Sequence, residues 1–220
     1  MMRDDILTTR QTAWLKEIGS RAEFRNAFYL TGGTPLAAFY LGHRYSEDLD
    51  FFSEREVDIA ALNVFFDRSK KKFRVEKIDF QQSFNRNLFF LHFPDEVLKM
   101  EFTYFPFSRI EEGINRFDMS VDSLLDIAVN KLFTIYQRSK ARDYIDLFLI
   151  CKQEKFKLTN LVKQARMKFD GYIDPIQLGA QFVKAETAED FPRMIIDIPA
   201  QQWRGFFIEE AKRLKDEVLE

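Results

Sequence analysis

The chain has 220 residues, of which 46% are hydrophobic and 31% charged, and its formal net charge is −2. This length allows a substantial core, the composition argues against disorder, and the charge excludes a globally basic nucleic-acid binder. Because Cys151 is the single cysteine and there are two histidines, neither an internal disulfide nor a Cys/His zinc site can be assembled.

The apolar segments are all short. None approaches the roughly 20 residues of a membrane span, and the N-terminal sequence MMRDDILTTRQ lacks the apolar core of a signal peptide. We therefore expect a cytoplasmic protein without a membrane partner.

The N-terminal residues predict helices, a strand and a further helix. Residues 3–26 have the spacing of one or two amphipathic helices, and Phe28–Thr31 is a short β-prone run that ends at a glycine pair. Thr34 is a candidate N-cap and Pro35 suits a first helical position, so we expect a helix to begin at this turn.

The middle of the chain predicts a sheet. After a strand that contains Asp48 and Asp50, a helix is expected over Val57–Lys70 and three strands follow, the last two forming a hairpin at Pro94-Asp95. The predicted strands cover residues 73–80, 88–93 and 97–105. We expect the sheet to end near Pro106.

From Ser120, a candidate N-cap, the pattern becomes helical, with an apolar stripe interrupted by Lys131. A second helix is predicted over Lys140–Cys151, and residues 155–220 alternate short helices with turns before a last helix over 203–219. The sequence thus predicts an α+β protein with a mixed sheet and packed helices over residues 1–118 and a C-terminal helical region over 119–220.

The glycine turn and the two aspartates point to a nucleotide site. Gly32 and Gly33 have no β-carbon to block a phosphate, and they precede the amides of a helix start. Asp48 and Asp50 lie two positions apart, so on a strand they share one face about 6.5 Å apart. Two like charges this close favour a bound cation, and carboxylate oxygens suit Mg²⁺ or Mn²⁺.

Several short motifs together resemble a known family. The motifs are GGT (32–34), LGHRYSEDLDFF (41–52), KMEF (99–102), the pair Asn130-Lys131 and KARDYIDL (140–147). Over roughly residues 25–150 the chain resembles the AbiEii/AbiGii-type toxin nucleotidyltransferases of the DNA polymerase β-like superfamily. The resemblance implies a nucleotidyltransferase fold and a cleft completed by the C-terminal helices.

The resemblance also assigns roles to matching residues. The assignments are Gly32, Gly33 and Thr34 in the phosphate loop, Asp48 and Asp50 on the metal, Lys131 on the nucleotide phosphates and Asp143 as the acidic residue of the last motif. Without the resemblance, Lys131 could equally snorkel out at a helix edge.

Three further residues are candidates with an open alternative. The superfamily's third carboxylate falls on Glu101, which could help bind the metal and activate the acceptor hydroxyl, or could be a surface glutamate. Arg44 and Ser46 are candidate nucleotide contacts, or else form a salt bridge and a turn hydrogen bond. His43 is expected to be packed or solvated, and Asp146 shares a helix face with Asp143.

Such a site would transfer a nucleoside monophosphate from an NTP to a hydroxyl acceptor and release pyrophosphate. Family members are toxins of toxin-antitoxin pairs, and some are similar to enzymes that add nucleotides to the 3′ end of tRNA. The resemblance therefore implies an RNA acceptor such as tRNA, or a protein acceptor, and a cognate antitoxin. The alternatives are a degenerate member that only binds nucleotide or a partner, and a two-metal nuclease or phosphatase.

Overall fold

The computed structural model describes residues 6–219 and the side chains up to Leu214, so the helical prediction for residues 3–5 lies outside the described residues. Within that range the strands form one mixed seven-stranded sheet. They are β1 (Tyr29–Thr31), β2 (Leu49–Ser53), β3 (Lys77–Ser83), β4 (Arg86–His92), β5 (Val97–Tyr104), β6 (Asn115–Arg116) and β7 (Met119–Val121), in the spatial order β3-β4-β5-β2-β1-β7-β6.

Helices precede the sheet, pack on it and follow it. They are α1 (Thr9–Gly19), α2 (Ala22–Arg25), α3 (Gly33–Pro35), a π-helix (Leu36–Leu41), α4 (Ile59–Lys70), α5 (Leu124–Gln137), α6 (Ala141–Glu154), α7 (Leu158–Lys168), α8 (Pro175–Val183), a 3₁₀ helix (Lys184–Thr187) and α9 (Ala200–Leu219). None of the described helices is both long and apolar enough to cross a membrane. The predicted α+β class is confirmed.

The centre of the sheet sets the position of the carboxylates. β1 and β2 run antiparallel, whereas β2 and β5 run parallel with Asp50 opposite Glu101. β4 and β5 form the predicted antiparallel hairpin. Because Met100 and Phe102 are fully buried below the sheet, Glu101 lies on the opposite face, next to Asp50.

The expected end of the sheet near Pro106 is wrong. β7 pairs in parallel with β1, and β6 pairs with β7, so the sheet continues past residue 118. Ser120 lies inside β7 and is not an N-cap; α5 begins at Leu124 and is capped by the hydroxyl of Ser123. The parallel pairing with β1 holds Met119–Val121 as a strand, which the local sequence did not indicate.

The helix at the glycine turn also differs from its prediction. Its N-cap is Gly32, it begins at Gly33, and it continues from Leu36 as a π-helix. Thr34 is therefore inside the helix and not at its N-cap, and its buried hydroxyl donates to the carbonyl of Asp48. This hydrogen bond ties the turn to the residues that enter β2.

The buried hydrophobic residues form two cores. One packs α1, α2 and α4 against the sheet around Trp14, Phe66 and Phe102. The other packs α5 to α9 around Tyr144 and Trp203. The division at residue 118 stays a prediction, although β7, just beyond it, belongs to the sheet.

Candidate active site

A cleft of about 640 Å³ opens between the sheet and the helices α5 and α6. Its lining includes nearly every residue proposed from the sequence. These are Gly32, Gly33, Arg44, Ser46, Asp48, Asp50, Glu101, Lys131 and Asp143, whereas the buried Thr34 is not among the lining residues. The fold thus brings residues from five separate segments to one cavity.

The glycine turn lies directly against Asp50. Gly32 has φ of +81°, a backbone conformation that favours glycine, and a β-carbon there would lie 2.7 Å from Oδ2 of Asp50. A β-carbon on Gly33 would collide with the guanidinium of Arg44 and lie 3.0 Å from the hydroxyl of Ser46. A side chain at either position would displace Arg44 or Asp50, Gly32 is favoured further by its positive φ, and the aspartate faces the turn.

We call the acidic side of the cleft the strand cluster; it comprises Asp48, Asp50, Glu101, Lys99 and Arg86. Lys99 donates to Asp48 at 2.9 Å and lies 3.8 Å from Glu101. Arg86 binds both oxygens of Glu101 at 2.6 Å, and Thr103 donates to it at 2.9 Å. Burial alone would raise the pKa of Glu101, but the hydrogen bonds and charge of Arg86 hold it below its usual value.

Asp50 is the carboxylate of the strand cluster without a partner. Within residues 6–219 it makes no hydrogen bond or ion pair, although it lies between two other carboxylates. Burial, followed by the negative charges of Glu101 and Asp48, raises the pKa of Asp50 to about 6. A cation bound at this position would relieve that repulsion.

The donor set can be tested against a divalent metal. No group of three or more His, Cys, Asp or Glu side chains among the described residues is arranged to hold a metal ion. Glu101 is bound by Arg86. Asp48 and Asp50 still fit Mg²⁺, which commonly uses one or two carboxylates and completes its coordination with phosphates and water. The ammonium of Lys99 on Asp48 shows that a cation is accommodated there.

We call the opposite side of the cleft the helix cluster; it comprises Asp143, Asp146, Lys131, Arg44 and Arg138. Lys131 contacts Asp143 and Asp146 at 2.7 Å each, and Arg138 lies 3.3 Å from Asp143 at the rim. Burial would raise the pKa of Asp143, but the charge and hydrogen bond of Lys131 lower it. Lys131 therefore reaches the cleft while anchored to two acids.

Asp146 is the centre of the helix cluster and is fully buried. Arg44 binds both its oxygens at 2.8 Å, and His43 contacts one of them at 2.8 Å. Against the effect of burial, Lys131 and Arg44 hold the pKa of Asp146 well below its usual value. Arg44 thus forms the salt bridge that was its alternative role, and its guanidinium also supports Gly33. His43 is packed, as expected.

Sequence reasoning missed an aromatic wall at the cleft. Five phenylalanines line it, with ring centroids 4.0–5.1 Å apart in four of their pairs. They are Phe52, Phe105, Phe107, Phe133 and Phe169. Because they come from four distant segments, no spacing in the sequence could have grouped them. Such rings offer faces on which a nucleobase can stack.

A buried carboxylate behind the glycine turn was also missed. Asp122 follows β7, and its Oδ2 accepts hydrogen bonds from Thr31 and, at 3.4 Å, from Asn130. Its Oδ1 has no hydrogen-bond partner among the described residues, and burial raises its pKa to about 7. Because the strand that positions Asp122 was not predicted, no local pattern indicated this carboxylate.

The fold and site define an α+β nucleotidyltransferase. A family model described as nucleotidyl transferase AbiEii toxin of type IV toxin-antitoxin systems matches residues 15–218, and the chain belongs to this family. The predicted family is therefore confirmed over nearly the whole chain, including the C-terminal helices.

Similar proteins agree with this assignment. A solved structure from H. pylori, described as a candidate nucleotidyltransferase, has a TM-score of 0.59 at 22% identity and covers 96% of this chain and 95% of its own. MenT4, a nucleotidyltransferase toxin of Mycobacterium tuberculosis, has a TM-score of 0.58 at 15% identity, covering 93% and 82%. An uncharacterised Aquifex aeolicus protein is 28% identical over 144 residues, 66% of this chain and 67% of its own.

Proposed function

We propose that the protein is a metal-dependent nucleotidyltransferase that moves a nucleoside monophosphate from an NTP to the hydroxyl of an RNA, such as a tRNA 3′ end, or of a protein. The observation that carries the proposal is the unpartnered Asp50 facing the Gly32 turn. A metal cation between Asp50 and the phosphates would offset the negative charge of both, so a metal-bound triphosphate fits this turn.

The nucleotide lies along the cleft in this proposal. Its phosphates meet the backbone of Gly32 and Gly33, which line the cleft. Lys131 has a third N–H beyond the two that its carboxylate partners use, and this N–H stabilises charge that develops on the phosphates. The base stacks on the aromatic wall, for example against the paired rings of Phe133 and Phe169.

Asp48 and Asp50 would hold the metal, which supplies charge neutralisation at the transferring phosphoryl group. The acceptor oxygen forms a bond to the α-phosphorus as the bond to pyrophosphate breaks. The hydroxyl proton passes to solvent, because Arg86 and Thr103 occupy the oxygens of Glu101 and Arg86 holds its pKa below the usual value. Glu101 then acts through the negative charge that it holds next to Asp50.

The catalytic proposal is tested by label transfer. Purified protein is incubated with each labelled NTP, Mg²⁺ or Mn²⁺ and total RNA, and the product is separated into RNA and protein. For Asp50→Asn we expect at least about a 1000-fold loss of transfer, since the metal contributes several kcal/mol. Asp67→Asn, on the exposed face of α4, is the matched control and should transfer normally.

Each outcome separates the alternatives. Transfer retained by Asp50→Asn contradicts the metal assignment. NTP binding without transfer by the wild type identifies the degenerate alternative, and RNA breakdown without incorporation identifies a nuclease. The toxin and antitoxin roles are proposed from the family; growth arrest by the wild type but not by Asp50→Asn supports them.

A further inference from the structure

A second cleft joins the first at Asp48. It has a volume of about 430 Å³ and lies between residues 44–48 and residues 190–193. Both clefts share Arg44, Ser46, Asp48 and Arg142 in their linings. The phenylalanines of the aromatic wall line only the first of these two clefts, so a nucleotide stacked on them leaves the second cleft open.

The walls of the second cleft are fixed by backbone hydrogen bonds. The N–H of Tyr45 donates to the carbonyl of Arg193 at 2.9 Å, and the N–H of Ile195 donates to the carbonyl of His43 at 2.9 Å. Arg44 forms an antiparallel bridge with Met194 between them. The residues that enter β2 are therefore paired to a segment far along the chain, and the cleft between them has a defined shape.

Two aromatic side chains line this cleft with much of their surface exposed. Tyr45 is 39% and Phe191 is 49% exposed. The guanidinium of Arg193 lies 4.5 Å from the ring centre of Tyr45, and the buried Trp203 packs edge-on against Phe191 at 6.1 Å. Rings that are exposed but supported from behind are suited to stacking with bases, and such stacking tolerates any base.

Cations without carboxylate partners lie beside the rings. Arg142 makes no hydrogen bond or ion pair within the described chain, and Arg193 has no carboxylate partner there. Lys140 is paired with Asp190 at 3.4 Å, and the exposed Glu47 opposes the cations. The positive charge of the two unpaired guanidiniums exceeds the negative charge of Glu47, so the cleft attracts a phosphate backbone.

We infer that the second cleft binds the terminal nucleotides of a single-stranded RNA acceptor, with Tyr45 and Phe191 stacking on bases and Arg142 and Arg193 contacting phosphates. This inference rests on the proposed function, since it assigns the acceptor of that reaction. A strand in this cleft ends at Asp48, where its terminal ribose hydroxyl meets the nucleotide of the first cleft. A protein acceptor has no phosphate backbone to meet the two unpaired guanidiniums.

Binding is measured without catalysis. A short fluorescein-labelled single-stranded RNA with a free 3′ hydroxyl is titrated by fluorescence anisotropy in EDTA and without NTP. We expect Tyr45→Ala and Phe191→Ala each to weaken RNA binding about 10-fold, as loss of one stacking ring does elsewhere. NTP binding, measured with labelled NTP and Mg²⁺, should stay unchanged.

The controls separate stacking from folding. Tyr45→Leu and Phe191→Leu keep apolar bulk but lose the ring face, so they should weaken RNA binding as well. Tyr172→Ala is the matched control, because Tyr172 is 74% exposed, has a guanidinium over its ring and lines neither cleft. It should bind RNA like the wild type.

The guanidiniums are tested by salt. Arg142→Gln and Arg193→Gln should each reduce the slope of log affinity against log salt by about 0.7, the value for one phosphate contact in a single strand. A slope unchanged in both variants removes the phosphate role of these arginines.

Three results would each overturn the inference. The wild-type protein fails to bind the RNA, the ring variants bind the RNA as well as the wild type, or the ring variants lose NTP binding as much as RNA binding. Label transferred to protein after ribonuclease treatment would also overturn it, in favour of a protein acceptor. If RNA binds through the second cleft but no label is transferred, the inference stands and the proposed catalysis fails.

Discussion

The two sides of the cleft differ in how their carboxylates are paired with cations. In the helix cluster, the two carboxylates of Asp143 and Asp146 meet three cations, two of them buried. In the strand cluster, three carboxylates meet only Lys99 and Arg86, and Asp50 is left without a partner. The helix side is electrostatically complete, whereas the strand side has an excess of negative charge.

This difference separates a supporting role from a binding role. A buried carboxylate that is fully paired holds its neighbours in place, but it has no capacity for a further cation. The unpaired charge of Asp50 costs stability and provides that capacity. Because Lys131 holds two buried acids, its substitution should destabilise the fold as well as weaken nucleotide use.

The largest expected effect comes from breaking the helix cluster. Asp146→Asn would leave the buried charges of Arg44 and Lys131 without their shared partner, so we expect about 3–5 kcal/mol of destabilisation in urea unfolding. Asp79→Asn, which breaks an exposed ion pair on β3, should change stability little. Equal stability of Asp146→Asn and the wild type would contradict the structural role.

The next effect concerns pH at the sheet. The folded-state pKa of Asp122, about 7, lies above its usual value, so its contribution to stability is complete below about pH 4 and is lost as pH rises through 7. The loss is roughly 4 kcal/mol at 1.36 kcal/mol per pKa unit. When urea midpoints are measured from pH 4 to 8, Asp122→Asn should lack the part of the decline due to Asp122 and keep the part due to Asp50, whose pKa is about 6. Asp146, with a lowered pKa, responds in the opposite direction.

The smallest effect concerns the cation of the strand cluster. Lys99→Met removes the ammonium from Asp48, and we expect Mn²⁺ to bind about five-fold tighter in calorimetry, which corresponds to about 1 kcal/mol. Lys72→Met, which breaks an ion pair with Glu17 outside the cleft, should leave Mn²⁺ binding unchanged. Weaker binding by Lys99→Met would show that Lys99 supports the metal site and does not compete with it.

Local signals predicted much of the fold. The glycine turn, the strand with Asp50, the hairpin and helices α4 to α6 follow from periodicity and turn residues that act over a few positions. β7 escaped prediction because Met119–Val121 is short and depends on β1, about 90 residues earlier. Helix boundaries failed at Thr34 and Ser120, where distant hydrogen bonds or strand pairing overrode local preference.

The sequence predicted most residues of the candidate site, but not the ion pairs that they form with one another. Strand alternation predicted that Asp48 and Asp50 share one face, and the family resemblance added Glu101, which pairs with Asp50 in the sheet. The sequence did not predict that Arg86 would bind Glu101, since this contact depends on the register of the hairpin. The aromatic wall needed a tertiary fold to assemble it.

The pairing of residues 43–45 with residues 193–196 has a consequence for biosynthesis. The amide of Tyr45 bonds to a carbonyl nearly 150 positions later. At about 5–20 residues per second, a ribosome needs roughly 7–30 seconds to make the intervening chain. During that interval the segment leading to Asp48 lacks its partner, so the second cleft is incomplete in the nascent polypeptide.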